Sequence, residues 1–103
     1  MKRIVRNPDI LWREEDEAAA EAAALLEQGG EAAEIGTAIL FADGTMVTLN
    51  LLGTEIWKRC DGLTEEELVV QLLEEFDVEA DVLRHDVAAF LNELAEKRYI
   101  SYV

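Results

Sequence analysis

The sequence predicts a small α+β protein, a three-stranded antiparallel sheet followed by three helices. Two observations carry this expectation. Residues 38–42, then Asp43-Gly44, then residues 45–49 read as a hairpin, because Asp-Gly suits the two-residue turn whose twist matches its strands. From Leu49 onward, three stretches with helix-start and helix-stop signals follow on short links. Half of the 103 residues are apolar, enough for one modest core, so a single domain over 1–103 is expected.

Taken in order, residues 1–9 read as a loose or edge segment, since Pro8 has no amide to give a ladder. Residues 10–13 suit a short strand, with Leu11 and Arg13 facing one way and Ile10 and Trp12 the other. Residues 16–36 form an acidic, alanine-rich insertion between the first two strands. Eight of the nineteen residues from 16 to 34 are alanine, with acids spaced among them, which favours helix. Leu25 and Leu26 are its only large apolar side chains before Ile35, so packing support is thin. A helix over about 17–28, ended by Gly29-Gly30, is one reading; disorder is the other.

In the hairpin, the turn sets Ala42 opposite Thr45, Leu40 opposite Val47 and Ala38 opposite Leu49. Those six share one face; Ile39, Phe41, Met46 and Thr48 share the other. Both faces carry large apolar residues, so a cover or a partner is expected on the second.

Asn50 suits the N-cap of a helix that Asp61-Gly62 ends. Thr64 with Glu67 forms a capping box ahead of Leu68, Val69, Leu72, Leu73 and Phe76 at helical spacing. The third helix runs from about 80 to 97, with Leu83, Val87, Phe90, Leu91 and Leu94 as its apolar stripe. Residues 99–103 have strand propensity and little length to use it.

Charge excludes several functions. The formal net charge is −14, and from Glu14 to Trp57 ten acids occur with no Lys, Arg or His. A phosphate backbone needs a basic stripe, so nucleic acid is disfavoured, as are anionic membranes. No apolar run approaches the ~18 residues of a membrane span. Residues 6–9 interrupt any signal-peptide core, and a cytoplasmic location is expected.

Catalytic constellations are not found. Cys60 is the single cysteine and reads as a packing residue, because a reactive thiol needs an electropositive site. His85, the single histidine, reads as solvated. The single serine, Ser101, also rules out a carrier domain holding a pantetheine arm near a helix start. The carboxylates read mostly as helix surface and leave paired acid/base groups or a cation site open, but EF-hand spacing and a phosphate-binding glycine loop are not found, and no cofactor is expected.

From Leu49 onward the order of features resembles the PqqD family, whose members recognise leader segments of ribosomally made, later modified peptides. The residues that carry the resemblance are Leu49-Asn50, Gly53, Ile56-Trp57, Cys60-Asp61-Gly62, Asp86-Val87, Phe90-Leu91 and Leu94, over roughly 37–103, with support from Arg6-Asn7-Pro8. The insertion departs from the pattern, since short members have a tight turn there. The resemblance implies a winged-helix-like fold and a non-catalytic peptide chaperone. Such a domain takes the leader as an extra strand beside the third strand and against the third helix. It then presents it to a modifying enzyme, commonly a radical S-adenosylmethionine enzyme of the SPASM type with auxiliary iron–sulfur clusters.

The residues themselves make an edge at 45–49 able to accept a strand. About four new backbone bonds, each worth ~1 kcal/mol net, give roughly millimolar binding, so side-chain pockets are needed. The candidate peptide-binding set is Met46, Val47, Thr48 and Leu49 on the strand, with Val82, Asp86, Ala89, Phe90 and Glu93 on the third helix. Val82 and Ala89 are small enough to leave a groove, while Asp86 and Glu93 suit basic leader residues. Phe90 equally suits the core. The opposite flank, Arg84, Ala88, Leu91 and Ala95, stays open on periodicity alone. A proline at Val47 tests the edge if that amide faces outward. The competing functions are a winged-helix nucleic-acid binder, opposed by the charge, and a generic interaction module; the second leaves a homodimer open.

Overall fold

The computed structural model describes residues 2–30, 35–42 and 44–103. They form five strands and four helices: β1 (Ile4–Arg6), β2 (Leu11–Glu14), α1 (Asp16–Glu27), β3 (Ala38–Ala42), β4 (Thr45–Leu49), α2 (Leu51–Arg59), α3 (Glu65–Glu75), α4 (Ala80–Glu96) and β5 (Ile100–Tyr102). The chain divides into two compact units. Pro8–Glu55 makes one; Met1–Asn7 with Ile56–Val103 makes the other.

The first of these holds a three-stranded antiparallel sheet in the order β2-β3-β4. The hairpin has the expected register: Ala38 opposite Leu49, Leu40 opposite Val47, Ala42 opposite Thr45. Gly44 takes a φ of 77°, the left-handed conformation that such a turn demands; Asp43 lies outside the described residues. Ala38, Leu40, Ala42 and Leu49 are buried, so the core face is the expected one. β2 is shifted by one residue from the expectation and runs from Leu11, opposite Phe41, to Glu14, opposite Ala38.

Where β3 begins, Thr37 and Thr54 are fully buried and share a hydroxyl–hydroxyl bond of 2.6 Å. Each would otherwise be a desolvated polar group in the core. Asn50 caps α2, its Oδ1 accepting the Gly53 N–H at 2.8 Å. α1 has no side-chain cap, and Ala22 is its one buried residue. Little but alanine propensity and one small contact face holds that helix.

The second unit contains α3, α4 and a feature the sequence reading did not anticipate. β1 and β5 pair antiparallel, with Ile4 opposite Tyr102 and Arg6 opposite Ile100. The sequence reads residues 1–9 as a loose or edge segment and gives residues 99–103 strand propensity with little length to use it. Strands of three residues cannot stand alone; these find each other across nearly the whole chain. The turn after α2 holds β1 on its other side. The Ile4 N–H donates to the Leu63 carbonyl and the Gly62 N–H to the Ile4 carbonyl, at 2.8 and 2.7 Å. Asp61 Oδ1 accepts the Arg6 N–H at 2.9 Å. Gly62 has a φ of 85°, where a Cβ would be strained.

α3 carries the expected capping box: Thr64 accepts the Glu67 N–H at 3.1 Å, and Glu67 accepts the Thr64 N–H at 2.9 Å. This second bond, ahead of the nearby Arg3 charge, holds the Glu67 carboxyl below its usual range. A carboxyl lowered in the folded state stabilises above its unfolded-state range and loses that contribution as pH falls through the folded value. Thr64→Ala is therefore expected to lower stability by about 1 kcal/mol in urea unfolding at neutral pH. The stability difference between the native chain and Glu67→Gln is expected to shrink as the solution is acidified.

Candidate functional site

The strand residues Met46, Val47, Thr48 and Leu49 lie in β4, at one margin of the sheet. Among the described residues, no strand pairs with its outer side. Which backbone groups that margin offers follows from a single bond. The Leu49 carbonyl accepts the Thr37 N–H at 2.7 Å, so Leu49 turns its peptide groups towards β3. Along an antiparallel strand the N–H and C=O of one residue point the same way, and successive residues alternate. Thr45, Val47 and Leu49 therefore face β3, consistent with their partners Ala42, Leu40 and Ala38. Met46 and Thr48 turn their amides and carbonyls outward. The Val47 amide is a ladder donor within the sheet and not part of the open margin.

This phase was readable before the structure. In a two-residue hairpin the residues flanking the turn bond each other, which puts residues 45, 47 and 49 inward.

The side chains divide by the same alternation. Leu49 is buried and Val47 half-buried on the core face; Met46 and Thr48 are exposed on the other. Gly36 lies against the Thr48 methyl, where a side chain at position 36 would not fit.

The helix residues Val82, Asp86, Ala89, Phe90 and Glu93 lie in α4. Leu83, Val87, Leu91 and Leu94 are its buried stripe. Val82, Asp86, Ala89 and Glu93 are exposed along one flank, and Phe90 is half-buried at its border. Val82 is 56% exposed. On the opposite flank, Arg84 is tied to Glu66 of α3 at 2.9 Å and Leu91 is fully buried. That ion pair pulls the Glu66 carboxyl below its usual range and pushes Arg84 up. Two of the four residues of that flank are thus committed within the unit.

The remaining polar chemistry is structural. Cys60 is buried, its thiol donates to the Trp57 carbonyl at 3.6 Å, and burial pushes its pKa up to about 11. The thiolate needed for nucleophilic attack is suppressed at neutral pH. The Arg6 guanidinium lies 5.4 Å from the centre of the Trp57 ring and donates to the Trp57 carbonyl at 3.3 Å. The Asn7 Nδ2 donates to the carbonyl of Arg98, the residue in left-handed conformation just beyond α4. Among the described residues, no group of three or more His, Cys, Asp or Glu is placed to hold a metal ion, and no helix is long and apolar enough to cross a membrane.

Residues 36–100 match the family described as coenzyme PQQ synthesis protein D (PqqD). The chain belongs to the PqqD family. Members of that family are non-catalytic peptide-binding domains. The match begins at Gly36 and takes in β3, β4, the three following helices and the first residue of β5. Among solved structures, TbiB1 in complex with the TbiA(beta) leader peptide shares this fold. It has a TM-score of 0.68 and 20% identity, over 94% of each chain. No curated protein matches the chain. Within the matched stretch, Asp61 and Gly62 both anchor β1.

The backbone phase of β4 has a direct test in stability. Val47→Pro removes a donor to Leu40 and is expected to cost about 1–3 kcal/mol in urea unfolding. Thr48→Pro removes only an outward amide and is expected to cost about 1 kcal/mol or less.

Proposed function

We propose that this PqqD-family chain is a peptide chaperone. It binds the leader segment of a ribosomally made precursor by strand addition at β4 and presents it to a modifying enzyme. The observation that carries this reading is the open β4 margin, with Met46 and Thr48 directing their peptide groups outward. An extended peptide satisfies those groups as a further strand would. The leader-peptide complex of TbiB1, a chain of the same fold, supports it.

Backbone bonds alone give weak, sequence-blind binding. In this reading the exposed flank of α4 adds the selectivity: Val82 and Ala89 receive apolar side chains, with Phe90 at their border, and Asp86 and Glu93 attract basic residues of the leader. The acidity of the chain agrees with a basic leader. The unit that carries β4 has eleven acids against one base, Arg13, and that base is paired with Glu15 at 2.7 Å. Such a field speeds encounter with a cationic peptide and weakens with salt.

The modifying partner we favour is a radical S-adenosylmethionine enzyme of the SPASM type acting in the cytoplasm, which would hold all the metal chemistry. A short peptide gene and such an enzyme gene beside this one would support that pairing. The same charge opposes nucleic acid as a ligand and close approach of a second copy as a homodimer.

The test uses the leader of a short precursor peptide found encoded beside this chain, if one is present, or otherwise a synthetic basic peptide of about ten residues, labelled for fluorescence anisotropy. Thr48→Pro is expected to weaken its binding about five-fold, the worth of one backbone bond. Asp86→Asn with Glu93→Gln is expected to weaken it further and to flatten its salt dependence. Unchanged affinity in Thr48→Pro, with the fold intact by circular dichroism, would remove β4 as the binding edge.

A further inference from the structure

The strand registers place three apolar side chains in one line across the sheet. Leu11 of β2 stands opposite Phe41 of β3, and Phe41 stands opposite Met46 of β4. All three lie on the face away from the buried Leu40 and Leu49. Leu11 is 70% exposed and Met46 64%, with Phe41 half-buried between them. An aromatic flanked by two open aliphatic residues is not the usual solvent face of an antiparallel sheet.

The line ends at the residue that faces the open margin. Met46 directs its own peptide groups outward, so a strand added there sets one of its residues level with Met46. Side chains of residues at the same level in neighbouring strands fall on the same face, whichever way the added strand runs. The side chain level with Met46 therefore becomes the fourth member of the Leu11–Phe41–Met46 line. The next such position, two residues along, falls level with Thr48.

We infer that β4 selects peptides carrying a large apolar residue at the position level with Met46. This rests on the strand-addition reading and deepens it. It assigns specificity to the sheet face bearing Leu11, Phe41 and Met46, in addition to α4. A second copy of the chain is the less favoured occupant. The unit bearing the line carries eleven acids and one base, and two such surfaces repel.

The probe is a bacterial-display library of random peptides about ten residues long, enough for one strand. It is sorted against the full chain and against Met46→Lys, with Thr48→Pro as the backbone control. The native chain is expected to enrich peptides with a large apolar residue at one fixed position. Met46→Lys is expected to replace it with Asp or Glu at that same position. Met46→Ala is expected to weaken an enriched peptide about two- to five-fold. Met46 is exposed, so these variants keep the fold, which a thermal melt checks. If Met46→Lys enriches the same peptides while Thr48→Pro weakens their binding about five-fold, the inference falls and strand addition stands. If Thr48→Pro binds them as the native chain does, or if nothing is enriched, both fall. Light scattering that shows a dimer dispersed by Met46→Lys assigns the line to a second copy and overturns the inference.

Discussion

A single backbone constraint governs what this chain can offer a ligand: the alternation of inward and outward peptide groups along β4. The Thr37–Leu49 bond fixes its phase. Once Leu49 faces β3, Val47 and Thr45 must follow, and only Met46 and Thr48 remain to meet another chain. The same alternation decides which side chains accompany those groups. A slip of one residue would put Leu49 and Val47 in solvent and Met46 in the core. The buried Thr37–Thr54 hydroxyl pair reinforces the register at the end of β3, because a shift there would strand two polar groups without water.

In the other unit the controlling element is the turn from Cys60 to Leu63. It serves as a socket for β1, using an Asp61 carboxylate, a left-handed glycine and two backbone bonds. Arg6 and Asn7 add side-chain contacts, to Trp57 and to the residue that ends α4. β5 then closes the other side of β1. Residues that a sequence comparison would single out for function are thus occupied in holding the two ends of the chain together.

Electrostatics separates the two units. Twelve acids and eight bases share the unit with α3 and α4, where several pairs form, such as Arg3–Glu67 and Arg84–Glu66. The unit with the open margin has one base for eleven acids. Exposed pairs of this kind add little to stability. The imbalance instead biases the choice of partner, and it does so where the backbone is open.

Local chemistry was sufficient for much of this. Asp43-Gly44 determined the hairpin register, Thr64 and Glu67 the start of α3, Asn50 the cap of α2, and Gly62 the left-handed turn, because each depends on contacts within a few residues. The pattern from Leu49 to Leu94 was enough to suggest the PqqD family. Only tertiary structure decided the β1–β5 pair, the burial of Thr37 against Thr54 and the commitment of Arg84 to Glu66. Those contacts join residues far apart in the chain, and a three-residue strand or a lone threonine carries no local mark of its partner. The exposed line from Leu11 through Phe41 to Met46 lies between these cases. Its hairpin half was legible, but Leu11 joined it only through the register of β2, which propensity alone could not set.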